Sequence, residues 1–263
     1  MKYINFKIED LEIKGEELSK NYVSADPFPH IVIDNFFNKD ILDSIVDSFP
    51  KNSNDFNNNF NKKSEKKLSL NQTDKFSDTT NNFINFLNSS LFIKFLQKLT
   101  SIKETLIPDP YLLGGGLHEL RNGGYLNIHS DFNRHPKMKL DRRLNLLIYL
   151  NEDWKNSFGG QLELWNKDMT KCCQSIIPEF NRMVVFSTNS FSYHGNPNKI
   201  DCPSNLTRKS LALYYYSNGR PEHELDLGDH TTIFRKRPGS EDEDTSVRFK
   251  RLFGKFYVKK KGS

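Results

Sequence analysis

From about Pro108 to Pro221 the chain alternates short apolar stretches with glycine, proline and asparagine turns, and this texture constrains the fold more than any other feature. Candidate strands fall at 117–121, 124–131, 143–150, 161–165, 174–178, 182–187, 191–194 and 207–216. Many short strands separated by turn signals make a sandwich or a double-sheet jelly roll. Residues 1–107 read as a support region. A short strand, His30 to Ile33, precedes a helix that Asn38 or Asp40 can cap, with Ile41, Leu42, Ile45, Val46 and Phe49 on one face and Pro50 past its end. Residues 51–80, rich in Asn, Lys, Ser and Asp, read as a polar surface excursion or a partly disordered one. Residues 81–100 carry Phe83, Phe86, Leu87, Phe92, Phe95, Leu96 and Leu99 at helical spacing, with a break at Ser89-Ser90. Residues 222–263 form a polar extension with an acidic run, Glu241 to Asp244, before a basic aromatic tail. In that tail Leu252, Phe253, Phe256 and Tyr257 suggest a docked helix rather than a nucleic-acid arm.

The rest of the composition mostly excludes. With 263 residues and 13% aromatic side chains the chain can bury a sizeable core. It has no long apolar run, so no transmembrane helix is expected, and its N-terminus lacks the apolar segment of a secretory signal. A formal net charge of +5 is too small to imply nucleic acid. Three cysteines, two of them adjacent, make neither a disulfide framework nor a zinc motif, which suits a reducing, cytoplasmic setting.

The chemistry concentrates in YLNIHSDFN. On a strand, Asn127, His129 and Asp131 point one way, while Leu126, Ile128 and Ser130 point the other. An imidazole beside a carboxylate can hold two adjacent positions on a metal. Alone, the pair is equally a solvated surface pair or a satisfied core histidine. His194, in FSYHGNP, follows the apolar strand RMVVFS and offers a third ligand. Two histidines and a carboxylate form the facial triad of non-haem Fe(II). The strand RLNLLIYLN places Asn145, Leu147 and Tyr149 on one face, and TRKSLALYYYS places Arg208, Ser210, Ala212 and Tyr214 on one face. An inward Arg followed by Ser and Ala leaves room for a carboxylate, to which Tyr149 could also donate; the alternative is an Arg at the rim or one paired with a structural acid.

Taken together, GGYLNIHSDFN, RRLNLLIYLN, GGQLELW, NRMVVFS, SYHGNP and TRKSLALYYYS resemble the 2-oxoglutarate- and Fe(II)-dependent oxygenases, in their prolyl-4-hydroxylase-like branch, over residues 108–221. The resemblance implies a double-stranded β-helix (jelly roll), mainly β with flanking α, supported by N-terminal helices. It implies His129, Asp131 and His194 as iron ligands, with Arg208 and Tyr149 at the distal carboxylate of 2-oxoglutarate. Asn127 and Asn145 are candidates for orienting the ligands, and Leu147, Ser210 and Tyr214 for lining the pocket. The implied cofactors are Fe(2+), 2-oxoglutarate and O2, with ascorbate as a stimulant. The implied reaction hydroxylates an unactivated C–H of a prolyl residue, an amino acid, or a sugar or other small metabolite, and releases succinate and CO2. Asp131 argues against a halogenase, in which a small residue frees that position. Two departures stand out. Leu126 occupies a place where several prolyl hydroxylases carry Tyr, and residues 196–206 look like a loop inserted near the site. Loops 132–142 and 195–206 are expected to carry specificity, with Arg142 and Arg143 on a solvated rim or, alternatively, in a substrate role. His118, His135, His223 and His230 are expected at the surface or in the core. Rival readings are a cupin-like metalloenzyme that does not use iron, and a jelly-roll binding module without turnover.

Overall fold

The computed structural model describes residues 2–221, 224 and 228–246. Three of its four α-helices start at a side-chain cap: α2 (Lys39–Asp47) at Asn38, α3 (Asp78–Leu87) at Ser77 and α4 (Ser90–Thr100) at Ser89. Ser89 therefore both ends the link from α3 and opens α4, which is the break expected there. The first helix, α1 (Leu11–Val23), was not anticipated. It buries only Leu11, Gly15 and Tyr22, too thin a stripe to show as periodicity. Gly15 is the contact point, since a Cβ there would lie 2.7 Å from the Phe95 carbonyl oxygen on α4.

The strands are β1 (His30–Asp34), β2 (Asn58–Lys62), β3 (Glu65–Leu70), β4 (Ile107–Pro108), β5 (Gly116–Leu120), β6 (Tyr125–Ser130), β7 (Asp141–Tyr149), β8 (Leu162–Trp165), β9 (Cys172–Ile176), β10 (Arg182–Ser187), β11 (Tyr193–Asn196), β12 (Arg208–Ser217) and β13 (Ile233–Phe234). They form one curled antiparallel sheet in the order β1-β10-β7-β12-β5-β3-β6-β11-β8-β9. Its two halves face each other: Asp131, just past β6, bonds to Asn145 on β7, and Tyr149 of β7 packs with Leu162 and Leu164 of β8. The expected jelly roll is thus present, with each core strand within two residues of its expected place.

The outer face of β7, β10 and β12 carries Leu144, Leu146, Ile148, Val185 and Leu213, and packs on the Phe-rich faces of α3 and α4. This leaves the opposite face, with Asn145, Leu147, Tyr149 and Arg208, turned into the barrel. Residues 51–80 correct the sequence reading. They contain the β2–β3 hairpin, whose β3 pairs with both β5 and β6 and so joins the two halves of the sheet. Its two strands are polar because only Leu68, Ser69 and Leu70 at the end of β3 are buried in them, so the alternation that marks a strand is weak. Among the described residues no helix is long and apolar enough to cross a membrane. The tail with Leu252, Phe253, Phe256 and Tyr257, and His223, lie outside the described residues.

Gly15→Ala should force α1 off α4 and lower the unfolding free energy by about 1–3 kcal/mol, read from urea melts. An unchanged midpoint would contradict this account of the helix crossing.

Candidate active site

The antiparallel ladder between β6 and β11 sets His194 directly opposite His129, with ring centroids 4.5 Å apart. Asp131 follows on the same face as His129. His129 Nε2 lies 3.5 Å from Asp131 Oδ1 and His194 Nε2 lies 3.3 Å from Asp131 Oδ2. One ligand atom from each residue falls within 4.8 Å of the others. Each imidazole donates through Nδ1 to the carbonyl two residues earlier, His129 to Asn127 and His194 to Ser192, both at 2.8 Å. A carbonyl can only accept, so Nδ1 carries a proton and each ring turns its Nε2 toward Asp131. Burial lowers the His194 pKa and keeps that ring neutral.

Asp131 stays ionised against its burial. Desolvation pushes its pKa up, but the Arg142 charge and the two imidazoles outweigh this and hold it well below the usual carboxylate range. Arg142 is the functional residue that the sequence reading misplaced. It is only 1% exposed, not at a solvated rim, and its Nη2 lies 3.0 Å from Asp131 Oδ2. Arg142 Nε and Nη2 also donate to Asn145 Oδ1, and Asn145 Nδ2 donates to Asp131 Oδ2 at 2.8 Å. The guanidinium stacks on the Tyr214 ring at 3.5 Å and on Phe132 at 4.6 Å. The physical reason is a bulge. Tyr215 opposes Leu144 but Tyr216 opposes Arg142, so Arg143 is an extra residue on β7. The bulge turns Arg142 to the face of Asn145. Arg143 is buried too, bonded to Glu104 at 2.8 Å and to Ser217. Strict alternation could not reveal either position.

Deeper in the barrel, Arg208 is 4% exposed and has no carboxylate partner among the described residues. Its Nε donates to Gly160 O at 2.7 Å and its Nη2 to the Tyr149 hydroxyl at 3.3 Å. Burial lowers its pKa from the ordinary arginine value. Gly160 is required here. Its φ is +73°, and a Cβ would sit 2.8 Å from Arg208 Cδ. A buried cation without a counter-ion awaits an anion.

The remaining candidates divide. Asn145 meets Asp131 as described. Asn127 reaches the site through its backbone carbonyl, while its side chain donates to Lys63 O at 3.3 Å. Tyr214 lies under Arg142 and donates to Gly114 O. Leu147 packs between Tyr149 and Tyr214 in the barrel wall, and Ser210 is buried opposite Tyr149. The loop 196–206 is pinned, with Gly123 N donating to Ile200 O and Ile200 N to Gly124 O. His135 is fully buried and His230 is buried beside Ser190. His118 is a buried inner-face residue in register with Ser210.

Residues 115–216 match the sequence model of the 2OG-Fe(II) oxygenase superfamily. The chain is 26% identical over 190 residues to prolyl 3-hydroxylase OGFOD1 of Xenopus laevis, over 69% of this chain and 34% of that protein. It therefore spans about a third of that relative's length. In fold it is similar to a prolyl 4-hydroxylase from Phytophthora capsici, with TM-score 0.55, 19% identity, and coverage of 80% of this chain and 65% of the other. It is also similar to a Trichoplax adhaerens prolyl hydroxylase in complex with a hypoxia inducible factor peptide fragment, with TM-score 0.54, 17% identity, and coverage of 86% and 99%.

Two outcomes follow from this geometry. Arg142→Ala should weaken divalent-metal binding by about 10–100-fold, and Arg142→Lys should not restore it, because the paired contacts to Asn145 and Asp131 need the planar fork; metal titration of the purified protein reads both. Burial holds the His118 imidazole at about 3, against 6.5 when unfolded. The unfolded chain therefore takes up the proton first, so this contribution to stability is complete above pH 6.5 and is lost as the pH falls toward 3. Denaturant melts across that window should show up to about 1.4 kcal/mol per pH unit from this residue, and His118→Gln should flatten the slope.

Proposed function

We propose that the chain, whose residues 115–216 match the sequence model of the 2OG-Fe(II) oxygenase superfamily, is an Fe(II)- and 2-oxoglutarate-dependent dioxygenase that hydroxylates an unactivated C–H bond. The observation that carries the proposal is the pairing of two features on one inner face: the His129–Asp131–His194 cluster and the buried, uncompensated guanidinium of Arg208. Two imidazoles that turn Nε2 toward one carboxylate suit a divalent first-row metal. His129, Asp131 and His194 would hold Fe(II), which would supply the oxidative chemistry coupled to conversion of 2-oxoglutarate to succinate and CO2.

The protein's own residues supply position. Arg208 and the Tyr149 hydroxyl bind the distal carboxylate of 2-oxoglutarate and fix its orientation. Arg142 and Asn145 hold Asp131, so the carboxylate keeps one geometry. The barrel wall at Leu147 and Ala212 keeps the site dry. A groove of about 450 Å³, lined in part by Phe60 and Lys67 of the hairpin, by Gly114 and Phe132, and by Thr231 and Thr232, would admit the substrate, since Phe132 follows Asp131 in the chain. The names of the similar proteins favour a prolyl residue of a polypeptide as substrate. The three free cysteines fit a reducing, cytoplasmic setting. Ascorbate is expected to stimulate turnover by keeping iron reduced, and nucleic acid is not expected as a partner.

Succinate release tests this across proline-containing peptides, free amino acids and small metabolites, with Fe(II) and ascorbate present. Peptide-dependent succinate with a matching hydroxylated product is the expected result; no succinate above background in any class would overturn the reading. Arg208→Ala should raise the 2-oxoglutarate Kd by about 10–100-fold, equivalent to about 1.5–3 kcal/mol of charge-assisted bonding. An unchanged Kd would remove Arg208 from that role.

A further inference from the structure

Residues 228–246 are not a loose appendage. Without them β6, which carries His129, would have an open edge beyond Asn127, because β3 pairs with it at Tyr125 and Leu126 and the hairpin's last bond to it is from Asn127 N to Ser64 O. The strap fills that edge. Ile233 pairs with Ser130, Phe234 pairs with His129, and Arg235 N donates to Ile128 O at 2.8 Å. The Phe234 ring lies 5.5 Å from the His129 ring. The next residue reaches the other metal strand. Arg235 Nη1 donates to the Tyr193 hydroxyl at 2.7 Å, and its guanidinium lies 4.9 Å from the Tyr193 ring, beside His194.

The strap is itself anchored on both sides of these two residues. Before them, Asn133 Nδ2 donates to Gly228 O, and Asn133 Oδ1 accepts from His230 N at 2.8 Å. His230 Nε2 lies 2.9 Å from Ser190 Oγ. After them, Thr245 N donates to Phe234 O and Phe234 N donates to Thr245 Oγ1, while Arg237 binds Asp242 at 2.6 Å. The Arg237–Asp242 pair and the Phe234–Thr245 bonds thus close a loop beside the sheet.

We propose that the strap is a built-in part of the metal centre, with Phe234 and Arg235 as positioning residues that hold the His129 and His194 strands in ligating register. The proposal rests on the metal-site reading above. It goes beyond that reading by assigning a role to a segment outside the barrel core. Neither residue touches the reacting atoms; both act through the strands they clamp.

The test is Co(II) titration of the full-length metal-free protein, followed by visible absorption, for wild type, Phe234→Ala, Arg235→Ala and the conservative Phe234→Leu. Thermal midpoints of the metal-free proteins are measured alongside. The two alanine variants should bind Co(II) about 10–100-fold more weakly, as for groups that orient metal ligands. Phe234→Leu should bind within a few-fold of wild type. Amide exchange at His129 and Ser130 should quicken in the alanine variants while exchange in α3 and α4 does not. Wild-type binding together with unaltered affinity in both alanine variants would overturn the strap proposal alone. Loss of affinity matched by a general fall in the metal-free midpoint and uniformly faster exchange would also overturn it, as a merely structural role. No binding by wild type would overturn the metal-site reading and the strap proposal together.

Discussion

The molecule depends on one cross-strand pair. His129 and His194 are far apart along the chain yet direct neighbours in the β6–β11 ladder. The ladder, not the side chains, brings them together. Each ring is then aimed by its own backbone, through the Nδ1 bond to the carbonyl two residues earlier. This makes the site cheap in conformational terms, because strand geometry fixes both Cβ positions and one hydrogen bond fixes each ring. Asp131 completes the cluster because it is one strand repeat beyond His129.

Two buried arginines show how the barrel treats charge. Arg142 has its carboxylate, Asp131, and is further held by Asn145 and the faces of Tyr214 and Phe132. Removing either partner would strand the other in a low-dielectric interior. Arg208 has only neutral partners, Gly160 O and the Tyr149 hydroxyl. A fold that needed Arg208 for stability alone would have given it an acid. Gly160 reinforces the point, since its backbone curls into space that no other residue would leave beside Arg208. One arginine pairs with an anion already present, and the other is the one that the proposed function assigns to an incoming carboxylate.

Much of this was legible in the sequence, for identifiable reasons. Strand alternation placed Asn145, Leu147 and Tyr149, and likewise Arg208, Ser210, Ala212 and Tyr214, on shared inner faces, because those strands are regular where these residues sit. Asn38 and the Ser89-Ser90 break marked the starts of α2 and α4, whereas the start of α3 at Ser77 lay inside the stretch read as a polar excursion. What escaped did so where the local code is silent. Arg142 entered the site through a bulge, which shifts the two-residue period by one and cannot be read from β7 without its partner β12. The β2–β3 hairpin joins the two sheet halves with few apolar residues, since one end of it faces the open mouth. The β13 strap is two residues of strand in a polar extension, and its meaning comes entirely from the edge it covers. Helix α1 rests on a glycine contact rather than an apolar stripe.

The central claim is that one divalent iron site and one carboxylate clamp share this barrel. Anaerobic addition of Fe(II) and then 2-oxoglutarate to the metal-free protein, followed in the visible range, tests it most directly. The account predicts a weak charge-transfer band that saturates at one equivalent of iron, disappears in His194→Ala, and in Arg208→Ala forms only at much higher 2-oxoglutarate. A band of equal strength in His194→Ala, or none in the wild-type protein, would contradict it.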